Sequence, residues 1–466
     1  MPSVRWPQWR RWRWRREPRV SSLAGEGRLL TLAALSLLAG AGSGLVVAIF
    51  RLALLRMDRW RDALIGLGHR EPVLGFVIFV AGCAAAVAGA AWLVQRHSPY
   101  ASGSGIPQVE GALTGDLPPA PPGVLPVKFV GGLLAIGAGM ALGREGPSVQ
   151  MGAVVAHMIA RLGRCSWPDR RTLLAAGAGA GLAVAFNAPI AGAVFVLEEL
   201  VRRLETRIAI AALGASASAI LISRLFLGDA PDFQVTVSAH ATASATGPLP
   251  YGVAATWPFY LLLGAICGAA AAVYNRVILG MLALAARLDR HCRVEMQAAA
   301  VGALVGVIGW LSPGLVGGGD NITQRVLAGG MAFAAVPLAF VVRFGLGPVC
   351  YAARTPGGLF APLLVLGAQL GLFCGSLVAL LLPGIGVEPA AFAVVGMAAF
   401  FTGVVQSPVT GIVLVTEMTA AFTTLLPMLA ACFAAIVVVN LMRGEPIYDA
   451  LRERVAPSAQ RHEAAR

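Results

Sequence analysis

Residues 189–198, with the sequence PIAGAVFVLE, align without a gap with residues 408–417, PVTGIVLVTE. The proline, the glycine and the glutamate keep their spacing in both stretches. Two further matches follow the same order at nearly the same separation: Gly143, Pro147 and Gly152 with Gly358, Pro362 and Gly367, and Gly40, Gly44 and Phe50 with Gly264, Gly268 and Tyr274. Collinear matches of this kind indicate an internal repeat. The sequence therefore predicts two related halves, 28–227 and 250–441, joined by an Ala/Ser/Thr-rich linker at 228–249.

The composition places both halves in a membrane. Of the 466 residues 57% are hydrophobic and 13% are charged, and the mean hydropathy is +0.75. A bilayer core takes roughly 20 apolar residues per spanning helix. Several apolar stretches are shorter or are broken by glycine and proline, as in transporters built from inverted repeats. We expect an all-α polytopic membrane protein built from two repeats of broken helices.

The net charge of +13 is concentrated near the N-terminus. Within residues 1–27, arginines alternate with tryptophans: Arg5, Arg10, Arg11, Arg13, Arg15, Arg16 and Arg19, with Trp6, Trp9, Trp12 and Trp14. Such a pattern binds nucleic acid in some proteins, but directly before a first span it favours a cytoplasmic flank on anionic lipid. Residues 442–466 carry further arginines after the last span. We expect both termini to be cytoplasmic, membrane lipids to be partners and nucleic acid not to be one.

The sequence offers little for metal, cofactor or enzyme chemistry. The seven cysteines form no CxxC pair, and most lie in apolar surroundings, which is typical of packing residues. The glycine run at 177–181 lacks the full GxGxxG spacing of a dinucleotide site. Neither a Ser/His nor a Cys/His nor an HExxH arrangement is found. We expect no metal, no cofactor and no enzyme activity.

Three interruptions of the apolar segments combine glycines with a proline. They are Gly103, Ser104, Gly105, Ile106 and Pro107; Gly143, Arg144, Glu145, Gly146 and Pro147; and Gly358, Leu359, Phe360, Ala361 and Pro362. The glycines free the backbone, and each proline stands where a helix would start. A helix start leaves N–H donors unpaired and so forms an anion site without any lysine. These segments predict an anion path through the membrane.

The motifs GSGIP, GREGP and GGLFAP, in this order, resemble the selectivity-filter segments of the CLC chloride channels and transporters. Further similar stretches are LPVKF at 125–129, FNAP at 186–189, Glu198-Glu199, the glycines at 317–319 and PIY at 446–448. The resemblance covers nearly the whole chain. It implies the CLC fold, with two inverted-topology repeats of broken and tilted helices, and a homodimer with a separate pathway in each subunit.

The resemblance also implies roles for single residues. Ser104 and Tyr448 would offer hydroxyl donors to a central chloride, and the N–H groups of Leu359 and Phe360 would complete that site. Glu145 resembles the gating glutamate, whose carboxylate takes the outer anion position and swings away when protonated. Other similarities are Glu199 with the internal proton-transfer glutamate, and Glu110 and Lys128 with charged scaffold positions.

Each of these residues also has an interpretation without transport. Glu145 could form a buried ion pair with Arg144, and Ser104 could cap a helix. Tyr448 could be an interfacial aromatic residue. Glu199 could belong to a solvated helix end paired with Arg202 and Arg203. Glu417, the repeat counterpart of Glu198, is expected to be structural.

The expected function is chloride transport in exchange for protons. Both Glu145 and Glu199 are present, and a passive channel needs no inner proton donor; the alternative is a passive chloride channel of the same fold. The tail after Tyr448 is too short for the regulatory CBS domains of many eukaryotic members. We therefore expect a bacterial-type member in the cytoplasmic membrane, with chloride and protons as its substrates.

Overall fold

A computed structural model of the chain describes residues 22–235, 251–385 and 387–464. All regular elements in these ranges are helices, and the only β-type contacts there are two isolated bridges. Most of the Arg/Trp-rich segment predicted at 1–27 and of the Ala/Ser/Thr-rich linker predicted at 228–249 lies outside the described residues. The predicted all-α architecture is confirmed.

The helices divide at the linker into two series of eight, followed by a final helix. The first series comprises α1 (Ser22–Gly68), α2 (Pro72–His97), α3 (Ile106–Thr114), α4 (Val124–Gly137), α5 (Glu145–Leu162), α6 (Trp167–Phe186), α7 (Pro189–Phe195) and α8 (Thr206–Leu227). The second comprises α9 (Tyr251–Leu288), α10 (Val294–Leu311), α11 (Asp320–Leu327), α12 (Val336–Ala352), α13 (Phe360–Leu381), α14 (Pro389–Val405), α15 (Pro408–Thr419) and α16 (Leu425–Leu441). The last helix is α17 (Ile447–Ala464), and a π-helical turn, Val196–Leu200, extends α7.

Eight helices in the described ranges are long and apolar enough to cross a bilayer. Others are too short to span alone, among them α3, α7 and α11. Helices that end at bilayer depth expose unpaired backbone groups, which is tolerable only where protein or a water-filled path satisfies them. The short helices therefore mark the places where polar chemistry is built into the membrane region.

The two series pack through equivalent glycines. A β-carbon on Gly44 in α1 would lie 2.5 Å from the carbonyl oxygen of Ala219 in α8, and one on Gly268 in α9 would lie 2.5 Å from that of Ala435 in α16. Small residues let helix backbones approach this closely in membranes. The glycines that matched in the sequence thus perform the same packing in both halves.

The series also meet at a pair of helix starts, those of α7 and α15. The Glu198 carboxylate accepts hydrogen bonds from the N–H groups of Val409 (3.0 Å) and Thr410 (2.6 Å) at the start of α15. The Glu417 carboxylate accepts them from the N–H groups of residues 190 (3.1 Å) and 191 (2.7 Å) at the start of α7. Each glutamate therefore caps a helix of the opposite half, which agrees with the structural role expected for Glu417.

Candidate functional site

The three glycine-rich interruptions come together through their backbones. Gly143 and Gly358 exchange two hydrogen bonds, with N–H to carbonyl oxygen distances of 2.8 and 2.7 Å. Gly103 donates its N–H to the carbonyl of Thr355 (3.2 Å), and its own carbonyl accepts from the N–H of Gly357 (3.1 Å). The second interruption is thus tied to the third across the repeats, and the first is tied to the residues just before the third.

Each interruption leads directly into a helix. Gly105 has a φ of 94°, a left-handed conformation that favours glycine, and α3 begins at the next residue. α5 begins at Glu145 and α13 begins at Phe360. Leu359 and Phe360 are both fully buried. Backbone N–H groups at a helix start have no partner inside the helix, so these donors remain available to an anion.

Two hydroxyl groups lie beside these helix starts. Ser104 and Tyr448 are both buried, and neither hydroxyl oxygen has a partner that meets hydrogen-bond geometry among the described residues. The Tyr448 hydroxyl faces that of Ser104, and the Tyr448 ring lies 5.8 Å from the Phe360 ring between centroids. A buried hydroxyl without a partner is costly in an apolar environment. Both hydroxyls are therefore positioned where they could donate to an anion.

The interpretations of these two residues without transport do not fit the geometry. Gly105, not Ser104, stands at the N-cap of α3, and the helix has no side-chain cap. Tyr448 is 0% exposed, whereas an interfacial aromatic residue presents one edge to headgroups.

The Glu145 side chain completes the group. Its carboxylate is fully buried and points toward its own N–H and those of Phe360 and Ala361, without meeting full hydrogen-bond geometry with any of them. It fills the space that β-carbons on Gly143 and Gly358 would need. Only glycine at these two positions leaves room for the carboxylate.

A buried lysine holds the first interruption in shape. The Lys128 ammonium donates to the carbonyl oxygens of Ala101 (3.1 Å) and Gly103 (2.7 Å) and is 0% exposed. Glu110, on α3, is also buried, and its nearest ion-pair partner is Arg452 of α17 at 3.9 Å. Neither residue lies among the donors around Glu145, as expected for scaffold positions.

Glu199 stands on a different element, the π-helical turn after α7. It is 2% exposed, and the Ser407 hydroxyl donates a hydrogen bond to its Oε2 atom. The Arg202 guanidinium lies 3.7 Å from Oε1 and also binds Asp449 at 2.9 Å. The ion pair of the alternative interpretation is therefore present, but the carboxylate itself is buried rather than solvated.

Three residues of the site were not identified from the sequence. The Tyr351 hydroxyl accepts a hydrogen bond from the Ser104 N–H (3.4 Å). Asp232, in the predicted linker, binds both Arg51 and Arg144. Ser407 precedes Pro408 at the start of α15, and this Ser-Pro pair is a sequence signal for a helix start, not for a contact with Glu199. Among the described residues no cluster of His, Cys, Asp and Glu is arranged to hold a metal ion.

The family model described as voltage gated chloride channel matches residues 82–440. The chain is 34% identical over 445 residues to the H(+)/Cl(-) exchange transporter ClcA of Salmonella arizonae, covering 94% of this chain and 91% of that protein.

Two solved structures share the architecture. A slow cyanobacterial Cl-/H+ antiporter superposes with a TM-score of 0.84 at 32% identity, over 91% of this chain and 98% of that one. A eukaryotic CLC transporter superposes with a TM-score of 0.77 at 23% identity, over 91% of this chain and 74% of that one, and shows the fold alone. The inverted-repeat fold predicted from the filter motifs is confirmed, and the chain belongs to the voltage gated chloride channel family.

Proposed function

We propose that this protein exchanges chloride for protons across the membrane. The observation that carries the proposal is the position of the Glu145 carboxylate, which lies on the N–H groups at the start of α13. A carboxylate and a chloride ion compete for the same donors, because both are anions. The names of the ClcA relative and of the cyanobacterial antiporter support exchange over passive conduction.

The chloride site comprises the Ser104 and Tyr448 hydroxyls and the N–H groups of Leu359 and Phe360. These donors are neutral, so they bind an anion without holding it as tightly as a lysine would, and the anion is able to leave. Protonation removes the charge of Glu145 and frees its place for chloride. Departure of the proton restores the carboxylate, which then displaces the ion.

Protons pass between Glu145 and the cytoplasmic side of the membrane through Glu199. Both carboxyl groups lie within electrostatic reach of Tyr448. An ionisable residue at membrane depth is costly and is by default functional. Two such residues, both acting on the Tyr448 hydroxyl, provide a proton route that meets the chloride route at Glu145.

The remaining assignments follow from the same family. We place the repeats at 28–227 and 250–441, both termini in the cytoplasm, and the protein in the inner membrane of a bacterium as a homodimer. The arginine-rich residues before α1 support this orientation, because basic flanks remain on the cytoplasmic side.

The test is transport by purified protein in lipid vesicles that hold a chloride gradient and no proton gradient. We expect outward chloride movement to drive protons inward and so to build up a proton gradient, measured with a pH electrode or a pH-sensitive dye. Chloride movement that leaves the proton concentration unchanged would identify a passive channel instead.

A further inference from the structure

Ser407 binds the inner glutamate from the opposite repeat. Its hydroxyl donates to Glu199 Oε2, and both side chains are buried, at 1% and 2% exposure. We propose that Ser407 is a positioning residue for proton transfer through Glu199. This inference rests on the proposed chloride/proton exchange and adds a residue to its proton route.

The hydroxyl is not used to cap its own helix. Ser407 occupies the N-cap position of α15, where a serine normally binds the N–H groups of the first turn, yet it makes no such bond. Glu198 binds those N–H groups instead, through Val409 and Thr410. Because Glu198 of the other repeat supplies the cap, the Ser407 hydroxyl is free to bind Glu199, the residue that follows Glu198.

The internal repeat provides a comparison within the same chain. At the equivalent helix start, Ala188 occupies the place of Ser407, and Glu417 supplies the cap. Met418 follows Glu417 where Glu199 follows Glu198. The helix start capped by a glutamate of the opposite half thus occurs twice in the chain. The pairing of a serine before the helix with a second glutamate, Ser407 with Glu199, occurs at only one of these two helix starts. A helix start of this kind forms without the serine, so its hydroxyl is explained by the glutamate it binds.

The two oxygens of Glu199 are left in different situations. Oε2 is held by Ser407, whereas Oε1 has no hydrogen bond among the described residues and faces the Arg202 guanidinium at 3.7 Å. Other charges nearby come from Glu198, Glu110 on α3 and Asp449 on α17. A hydrogen bond to a carboxylate both orients it and stabilises its charge. Ser407 therefore fixes the orientation of the Glu199 carboxylate, leaves Oε1 as the oxygen that takes the proton, and makes release of that proton easier.

The test compares Ser407→Ala, Ser407→Thr and the wild type in the same vesicle assay, with proton and chloride movement recorded together. Hydrogen bonds to charged groups are strong enough that we expect proton transport by Ser407→Ala to fall about tenfold. Chloride transport should remain within about twofold, because Ser407 touches none of the chloride donors. Ser407→Thr restores the hydroxyl and should recover most of the proton transport.

Thr416→Val is the matched control. It removes a buried hydroxyl from the same helix, one that binds only the carbonyl of Ile412 within α15, and the proton-to-chloride ratio should not change. The inference is overturned if Ser407→Ala keeps the wild-type ratio, if threonine fails to restore it, if Thr416→Val lowers it equally, or if Ser407→Ala loses both fluxes. A wild-type protein that moves chloride without protons would refute the proposed function itself, before any variant is compared.

Discussion

Arg144 and Glu145 are neighbours in the chain, but their charged groups turn away from each other. The Arg144 guanidinium binds Asp320 (2.9 Å), Asp232 (3.1 Å) and the carbonyl of Ala185 (3.0 Å). The Glu145 carboxylate instead lies on the donors at the start of α13. The buried ion pair suggested by the sequence is not formed among the described residues, and the Arg144 guanidinium acts on the Glu145 carboxylate only through longer-range attraction.

This separation makes Glu145→Gln informative. The amide has nearly the shape of the protonated acid but cannot ionise, so we expect proton transport to fall below detection while chloride transport persists. Chloride flux by the wild type should rise as pH falls, because protonation vacates the anion position, and the flux by the variant should not depend on pH. The measurement is chloride efflux from vesicles across a series of pH values. A variant that keeps the wild-type pH dependence would contradict the gating role.

Glu199→Gln should block the proposed proton route while leaving the chloride route open. Because Glu199 is not one of the proposed chloride donors, the variant should retain chloride flux within a few-fold of the wild type and lose uphill proton movement. Simultaneous recording of both ions from the same vesicles checks this. A well-folded variant that lost both fluxes would count against an inner proton-transfer role.

The close contact between Gly358 and Glu145 predicts that any side chain added at position 358 causes a collision. A β-carbon at Gly358 would lie 2.8 Å from the Gly146 backbone nitrogen and would collide with the Glu145 carboxylate. Overpacking of this kind costs about 1–3 kcal/mol, and we expect Gly358→Ala to lose that much stability and most of its chloride flux.

Gly82→Ala is the control for this change. A β-carbon at Gly82, in α2, would meet nothing within 4 Å. Alanine is a better helix former than glycine, so this variant should be neutral or more stable by up to about 1 kcal/mol. Thermal unfolding of the purified proteins in detergent compares the two, and equal melting temperatures would refute the predicted collision.

The ion pairs of Asp232, a residue outside the helices, predict that loss of its charge destabilises the fold. Its side chain is 6% exposed and pairs with both Arg51 and Arg144. Removal of one partner from a buried ion pair is strongly destabilising, and Asp232→Asn should cost about 3 kcal/mol. Asp62→Asn removes a carboxylate that is 55% exposed and lies 3.4 Å from Arg61, and it should cost less than about 1 kcal/mol. Chemical unfolding of both variants measures the difference, and similar losses would contradict the prediction.

The sequence was sufficient for the fold and for the helix starts around Glu145. Glycines and prolines in the three filter segments fix where the backbone breaks, so these positions are readable without coordinates. The convergence of Ser104, Glu145, Phe360 and Tyr448 was also predicted. The transport roles of these residues remain predictions until flux is measured.

What could not be predicted are contacts that no local pattern encodes. Ser407 and Glu199 are separated by more than 200 positions in the chain. Asp232 falls in the predicted linker, and its two arginine partners are far from it in the chain, one in α1 and one just before α5. No local pattern around Asp232 indicates these ion pairs. Tyr351 follows an apolar stretch as interfacial tyrosines do, and only the folded chain places its hydroxyl beside Ser104.

The exchange of caps between Glu198 and Glu417 has a consequence for biogenesis. Neither half owns the carboxylate that its helix start requires, so a half produced alone would leave these N–H groups without their capping partner. The chain therefore gains its stable form only after the second half has been inserted and has met the first. Two separately synthesised halves should survive in cells when they are produced together, and each should be degraded when it is produced alone.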